Sequence, residues 1–361
     1  MDYARSGVDI TLEAHSVAAL VGALGPSVRK SGQLGAPLGK VGGFSGLIEF
    51  GPDALALCTD GVGSKLLLAE QFGTWDHVGM DCVAMNANDL LCCGAEPLAF
   101  VDYLAVPQAN EELHATLGRS LYRAVTTAGM TLCGGETATL PGIVNSVDLS
   151  GAALGHIPGR QTIDQERIGP GDVLIGLPAS GFHSNGYTLI RAVLNSSGTD
   201  ASQAPPFDPS WTSRVTGNDF ERLVDVLLEP TRIYTTPLVG LFERLRSGHH
   251  SATWKDLHGL VHITGGGLEN ILRLGAQSTF VIDTPLPTPP EMEWLAKQGD
   301  IDINEMYRVF NMGMGMLLVV SKNVVGNILD ELQRDLPAAK VVGYLKEGRV
   351  GVEHAHTAFV E

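Results

Sequence analysis

Several carboxylate, amide and imidazole side chains sit where apolar runs give way to glycine-rich backbone. In Cys58-Thr59-Asp60-Gly61-Val62-Gly63-Ser64-Lys65 an apolar run ends on a carboxylate, continues through two glycines and closes on a lysine. Magnesium takes carboxylate oxygens, and phosphates take backbone N–H groups and a cation. No glycine directly precedes Lys65, so the octet is not a Walker A loop. By itself it fits an Asp-Gly turn equally well. Asp81, Asn88 and Asp89 are spaced to return to nearly one side of a helix start. Asp81 alone would suit a helix N-cap. Asn88 and Asp89 lie among Val83, Met85, Leu90 and Leu91, where polar groups need partners. Gly134-Gly135-Glu136 places a further carboxylate beside paired glycines, or marks a plain strand-end turn.

The second half repeats the pattern. Ser180-Gly181-Phe182-His183-Ser184-Asn185-Gly186 opens a helix, and N–H groups at a helix N-terminus suit an anion. His183 could bind a phosphate or move a proton, or be a surface capping-loop histidine. Thr264-Gly265-Gly266-Gly267 follows the same logic. Arg308 and Asn311 precede an apolar strand, and Arg308 could meet a phosphate or Glu305. Together these residues describe an enzyme that uses ATP or another phosphate, with magnesium held by Asp60, Asp81 and Asp89. They leave the substrate open.

The elements that must position these groups are a mixture of strands and helices. The first forty residues read as a mobile lead-in ending in glycines. Strands are predicted at 54–59, 98–105, 130–133 and 147–157. Helices are predicted from about Ser64, over 81–93 and over 111–128. The polar stretch 159–171 reads as a boundary, giving domains 1–168 and 169–361. The second unit is predicted to have strands at 172–177, 260–263, 312–320 and 340–343. Its helices are predicted near 187–195, 219–228 and 234–246, with another after the Gly265–Gly267 run. Ser196–Asn218 lacks periodicity and reads as a loop. The fold class is α+β or mixed α/β in two domains.

A chain of 361 residues with 44% hydrophobic and 18% charged residues can bury two cores. The net charge of -16 argues against a nucleic-acid partner. No apolar run is long enough to span a bilayer, so no membrane partner is expected. The start, Met1 to Ile10, is polar, which reads as no signal peptide and a cytoplasmic protein. Cys58, Cys82, Cys92, Cys93 and Cys133 form no CxxC pair, which reads as reduced thiols.

Taken in order, Ser6–Ile10, Gly42-Gly43-Phe44, Thr59–Lys65, Val83–Asp89, Gly94–Pro97, Asp102-Tyr103, Gly134–Ala138, Pro141-Gly142, His183–Tyr187, Pro230–Tyr234, Thr264–Gly267 and Glu305–Arg308 resemble the aminoimidazole ribonucleotide synthetase family over nearly the whole chain. The resemblance implies a homodimer whose N-terminal sheets pair into a shared barrel, with ATP bound nearby, and a C-terminal α/β sandwich. It implies ATP-dependent closure of a ribonucleotide, with Mg2+. Asp60, Lys65 and His183 become candidate catalytic residues. Gly42, Gly43, Asp60, Gly61, Lys65, Asp81, Asn88, Asp89, Gly134, Gly135 and Glu136 become candidate ATP contacts. Ser180, Gly181, His183, Ser184, Asn185, Gly186, Thr264, Gly265, Gly266, Arg308 and Asn311 become candidate substrate contacts. Thr139 replaces an expected glutamate, Leu272 an expected proline, and the insert around Ala201–Thr216 is long. His262 stands where sister kinases tend to carry aspartate, so it is left out of the metal set. Rival readings are a sister enzyme of the formylglycinamidine ribonucleotide synthetase or selenophosphate synthetase type, or a non-catalytic nucleotide-binding paralogue. The first cysteine, Cys58, lies too far along for the selenophosphate type.

Overall fold

The chain folds around two sheets, one after the other in sequence. The computed structural model describes residue 7 and residues 10–39, 44–248 and 251–360. A helix, α1 (Ile10–Gly22), occupies part of what the sequence presented as a mobile lead-in. Leu12, Val17 and Leu20 on it are exposed, so no buried stripe marks it as a helix in the sequence. The first sheet holds β1 (Gly46–Phe50), β2 (Asp53–Gly61), β3 (Glu96–Val106), β4 (Thr131–Thr139) and β5 (Asp148–Ile157). Its order is β1-β2-β5-β3-β4, antiparallel except for β3 with β4. Helices α2 (Lys65–Phe72), α3 (Val78–Leu91) and α4 (Glu111–Ala128) accompany it.

Helix α4 forms where its sequence directs. Asn110 accepts a hydrogen bond from the Leu113 N–H at 3.0 Å, Glu111 and Glu112 occupy the first turn, and Gly129 closes the end in a left-handed conformation. Leu117, Leu121, Ala124, Val125 and Ala128 form its buried stripe. Helix α3 is buried on nearly every side. Gly79 lets it approach α4, since a Cβ there would lie 2.5 Å from the Leu121 nitrogen.

Strand alternation sorts the first sheet into two faces. Phe100, Leu104, Leu149 and Ala153 join the core under α3 and α4. The opposite face leaves Leu57, Val101 and Tyr103 at 45%, 40% and 39% exposure. The second sheet has no such naked face at its centre. It comprises β6 (Val173–Pro178), β7 (Leu257–His262), β8 (Thr279–Ile282), β9 (Met314–Val320), β10 (Lys340–Lys346), β11 (Gly351–His354) and β12 (Thr357–Val360). Their order is β12-β11-β8-β10-β6-β9-β7, with β8 and β11 parallel. Helices α5 (Tyr187–Ser197), α6 (Leu223–Leu227), α7 (Thr235–Ser247), α8 (Pro290–Gly299), α9 (Ile303–Val309) and α10 (Val325–Leu332) surround it. Leu174, Leu317 and Val319 pack with Leu189, Ile190 and Leu295, while Ile175, Met316 and Leu318 pack with Leu238, Phe242 and Ile328. Every residue of β9 is buried, as a central strand between two helical layers requires.

Two sequence readings change here. The helix expected over 219–228 is confined to Leu223–Leu227, where Asp225 turns back onto the Arg222 backbone N–H as a cap. The strand expected to stop at Cys133 runs on to Thr139, because pairing with β3 carries it through two glycines of low strand propensity. Among the described residues no helix is long and apolar enough to cross a membrane.

Candidate active site between the two sheets

Asp60 sits at the end of β2, and Asp89 projects from the last turn of α3. The Asp60 carboxylate accepts the Gly61 N–H at 2.7 Å, and its carbonyl accepts the Asn86 amide at 3.2 Å. Burial, and then repulsion by Asp89, push its pKa up to about 6. Asp89 meets His262, at the end of β7, with 2.9 Å between Oδ1 and Nδ1. Helix α3, which packs on the first sheet, is thus joined directly to the second sheet. A part-buried carboxylate whose ionisation is made harder by a second one beside it suits a divalent cation, completed by phosphate oxygens and water. Among the described residues, no three His, Cys, Asp or Glu side chains form a metal cage on their own.

Asp81 does not join that pair, which corrects the three-carboxylate set. It is 1% exposed, and the Lys65 ammonium lies 2.9 Å from both its oxygens. Its Oδ1 also accepts the Thr231 N–H at 2.8 Å and the Thr231 hydroxyl at 2.7 Å. The charge is already matched, so Asp81 does not fit a metal. Lys65 is likewise 1% exposed and donates further to the carbonyls of His183 and Glu229, each at 2.9 Å. With all three donors used, it has none to offer a phosphate, contrary to its place among the ATP and catalytic candidates. Asn88 is also committed. Its amide donates to the Arg232 carbonyl at 2.9 Å and accepts the Tyr234 N–H at 3.0 Å.

Gly134, Gly135 and Glu136 lie within edge strand β4 rather than in a loop. A Cβ on Gly135 would come 2.2 Å from the Asp102 carboxylate, so this glycine makes room for Asp102. Glu136 is exposed beside Tyr103 in the ladder. Gly61 ends β2, opposite Ser150. Gly42 and Gly43 lie outside the described residues.

In the second half, the Ser180–Gly186 loop folds inward. His183 is fully buried, with φ +60°, and is not a surface histidine. Its Nε2 accepts the Ser180 N–H at 3.2 Å, which leaves Nδ1 as the protonated nitrogen of a neutral ring. Nδ1 has no partner. Burial, aided by His262, Lys65 and Arg232, holds this imidazole well below its usual pKa. The Asn185 amide nitrogen is also buried without a partner. Gly265 lies alongside, where a Cβ would stand 3.5 Å from the Asn185 oxygen. The Ser180 hydroxyl donates to the Pro230 carbonyl, and the Ser184 hydroxyl donates to the Val62 carbonyl across the two halves, both at 2.7 Å. Gly186 is left-handed at the α5 N-terminus, and a Cβ there would strike the Phe310 ring at 2.1 Å.

Thr264 and Gly265 are tied to Asn270, and Gly266 has φ +98°. Asn311 is buried, joining the Gly181 carbonyl at 2.9 Å to the Gly313 N–H at 2.8 Å. It shapes the loop from inside, which corrects its reading as a substrate contact. Arg308 reaches Glu269 at 3.0 Å at the surface.

Two family models cover this arrangement: the AIR synthase related protein N-terminal domain over residues 44–157 and the C-terminal domain over 169–355. A phosphoribosylformylglycinamidine cyclo-ligase of Methanosarcina acetivorans is 40% identical over 98% of this chain and 97% of its own length. That of Thermococcus kodakarensis is 38% identical over 95% of this chain and 96% of its own. The chain belongs to the phosphoribosylformylglycinamidine cyclo-ligase family. It is therefore a ligase. The fold extends further: the HypE–HypF complex contains a chain superimposing at a TM-score of 0.61 with 16% identity, over 87% of this chain and 92% of that one.

Several groups in this candidate site had no role assigned from the sequence. His262 was excluded by analogy, yet it touches Asp89. Thr231 and Arg232 belong to the Pro230–Tyr234 match, which carried no assigned role. Glu229 accepts the N–H groups of Val215 and Thr216. Glu291 accepts the Thr212 hydroxyl at 2.6 Å and is fully buried. A carboxylate on the same side of a helix start as the apolar Leu295, and next to Met292, was the available signal for Glu291.

Proposed function

We propose that this chain closes formylglycinamidine ribonucleotide to 5-aminoimidazole ribonucleotide, consuming ATP and releasing ADP and phosphate, in de novo purine biosynthesis. The observation that carries the reading is the Asp89–His262 contact, which brings the acidic groups of the first half against the glycine loop of the second. Asp60 and Asp89 are the residues of this chain that fit Mg2+, which when bound would neutralise phosphate charge. ATP lies in the first half, with Gly42, Gly43, Gly61, Gly134, Gly135 and Glu136 as the remaining candidate contacts. The ribonucleotide meets the His183–Gly186 loop and Thr264–Gly266, with Ser180 and Gly181 shaping the approach and Arg308 at the rim.

In this reaction the formyl oxygen attacks the γ-phosphorus and ADP leaves. The amidine nitrogen then bonds to the activated carbon, the carbon–oxygen bond breaks with loss of phosphate, and a proton is released. The protein's part is orientation and charge matching. His183, neutral with a Nδ1–H donor lacking a partner, is suited to hold the formyl oxygen or a phosphate oxygen. A homodimer through the outer face of the first sheet accounts for the exposed Leu57, Val101 and Tyr103, and would complete the shared barrel.

The direct test supplies formylglycinamidine ribonucleotide, ATP and Mg2+ to the purified chain. Aminoimidazole ribonucleotide and ADP should appear in equal amounts. ADP formed only with selenide or thiamine monophosphate would assign the chain to a sister reaction instead.

A further inference from the structure

Lys65 occupies an unusual position for a lysine. Its Nζ donates at 2.9 Å to Asp81 and to the carbonyls of His183 and Glu229, and it lies 5.2 Å from the centre of the Tyr187 ring. Three acceptors require three N–H groups, which only the ammonium has. Asp81 supplies the matching charge and carries Thr231 on the same oxygen. One cation at the start of α2 therefore grips two backbone points of the second half.

Those points are not arbitrary. The first is the carbonyl of His183 itself, at a left-handed φ of +60° that is uncommon outside glycine. The second is the carbonyl of Glu229, whose side chain takes the Val215 and Thr216 N–H groups and the Thr216 hydroxyl. The adjoining Thr212 hydroxyl is held by Glu291, and the Ser213 hydroxyl by Arg232. The end of the long insert is thereby fastened to the same cation that fixes the histidine loop.

We propose that Lys65 is a positioning residue for the cyclisation: it sets the His183 loop and the 212–216 segment against the nucleotide half and does not itself bind phosphate. The proposal rests on the reading of the His183 loop as the ribonucleotide site. The test pairs Lys65→Met with Asp81→Asn, so that Asp81 is not left as an unmatched buried charge and Thr231 keeps an acceptor. In this double variant the KM for formylglycinamidine ribonucleotide should rise, or kcat fall, at least about tenfold. The Kd for a non-hydrolysable ATP analogue should stay within about twofold. Loss of analogue binding with unchanged ribonucleotide kinetics would overturn the proposal, as would a folded double variant unchanged in both.

His183→Ala is measured alongside. If it leaves ribonucleotide kinetics untouched, the loop assignment and the proposal fall together. If it impairs them while the double variant does not, only the role of Lys65 is lost. An independent measurement needs no variant: a crystal structure of the parent chain with the ATP analogue and Mg2+. Lys65 should remain on the His183 and Glu229 carbonyls, and a direct contact from its ammonium to a phosphate oxygen would overturn the assignment.

Discussion

Asp81 and Asp89 are on the same buried helix, α3, yet its two ends treat a carboxylate in opposite ways. At the first turn, Asp81 is sealed from water and answered by an ammonium and both polar groups of Thr231. At the last turn, Asp89 keeps 17% of its side chain exposed, touches one imidazole and repels Asp60. The first arrangement matches the charge and ties Asp81 to both Lys65 and Thr231. The second leaves Asp89 part-exposed beside Asp60, with an imidazole in place of an ammonium. Helical spacing alone made the two aspartates equivalent; their neighbours from the second half separate them.

Breaking the first end should have the largest consequence. Lys65→Met alone leaves Asp81 buried and unpaired, and should cost about 3–5 kcal/mol of stability in denaturant unfolding. A loss under about 1 kcal/mol would show that Asp81 is readily protonated or hydrated and that the two ends differ less than their contacts indicate.

Asp89→Asn probes the other end. ATP turnover should fall about 10²-fold at limiting Mg2+, with the unfolding midpoint near that of the parent. If turnover is retained while stability collapses, Asp89 is a structural partner of His262 and the contrast disappears.

Glu291 supplies a third case, a buried carboxyl that accepts the Thr212 hydroxyl at 2.6 Å. Burial pushes its pKa up to about 7 from 4.5. An acid raised on folding opposes its own ionisation, so this group subtracts stability as pH climbs from about 4.5 through about 7. Glu291→Gln keeps an acceptor for Thr212 and should exceed the parent by about 1–3 kcal/mol at pH 8, with little difference at pH 4. Equal pH dependence in the two proteins would mean that Glu291 finds compensation when charged.

Some of this was readable beforehand because it depended on local chemistry. Helix α4 carries its own cap, acidic first turn, apolar stripe and terminal glycine, and it was bounded correctly from sequence. The central strands near Asp60 and Val101 announced themselves as apolar runs, as did β6 and β9. By contrast, β8, β11 and β12 are four residues each, too short to show a period. The extension of β4 through Gly134 and Gly135 exists only because β3 supplies the partner.

The site divides along the same line. The sequence by itself determined the order of motifs, the presence of Asp60 and Asp89 at element ends, and the family those motifs resemble, because each depends on residue identity and near spacing. Only the tertiary structure decided that Lys65 and Asp81 neutralise each other, that Asn88 and Asn311 are spent on backbone groups, and that His183 is buried and neutral. It also brought His262 to Asp89 across 173 residues of chain. A charge or amide functions by what its neighbours leave unsatisfied, and those neighbours come from elements far apart in sequence.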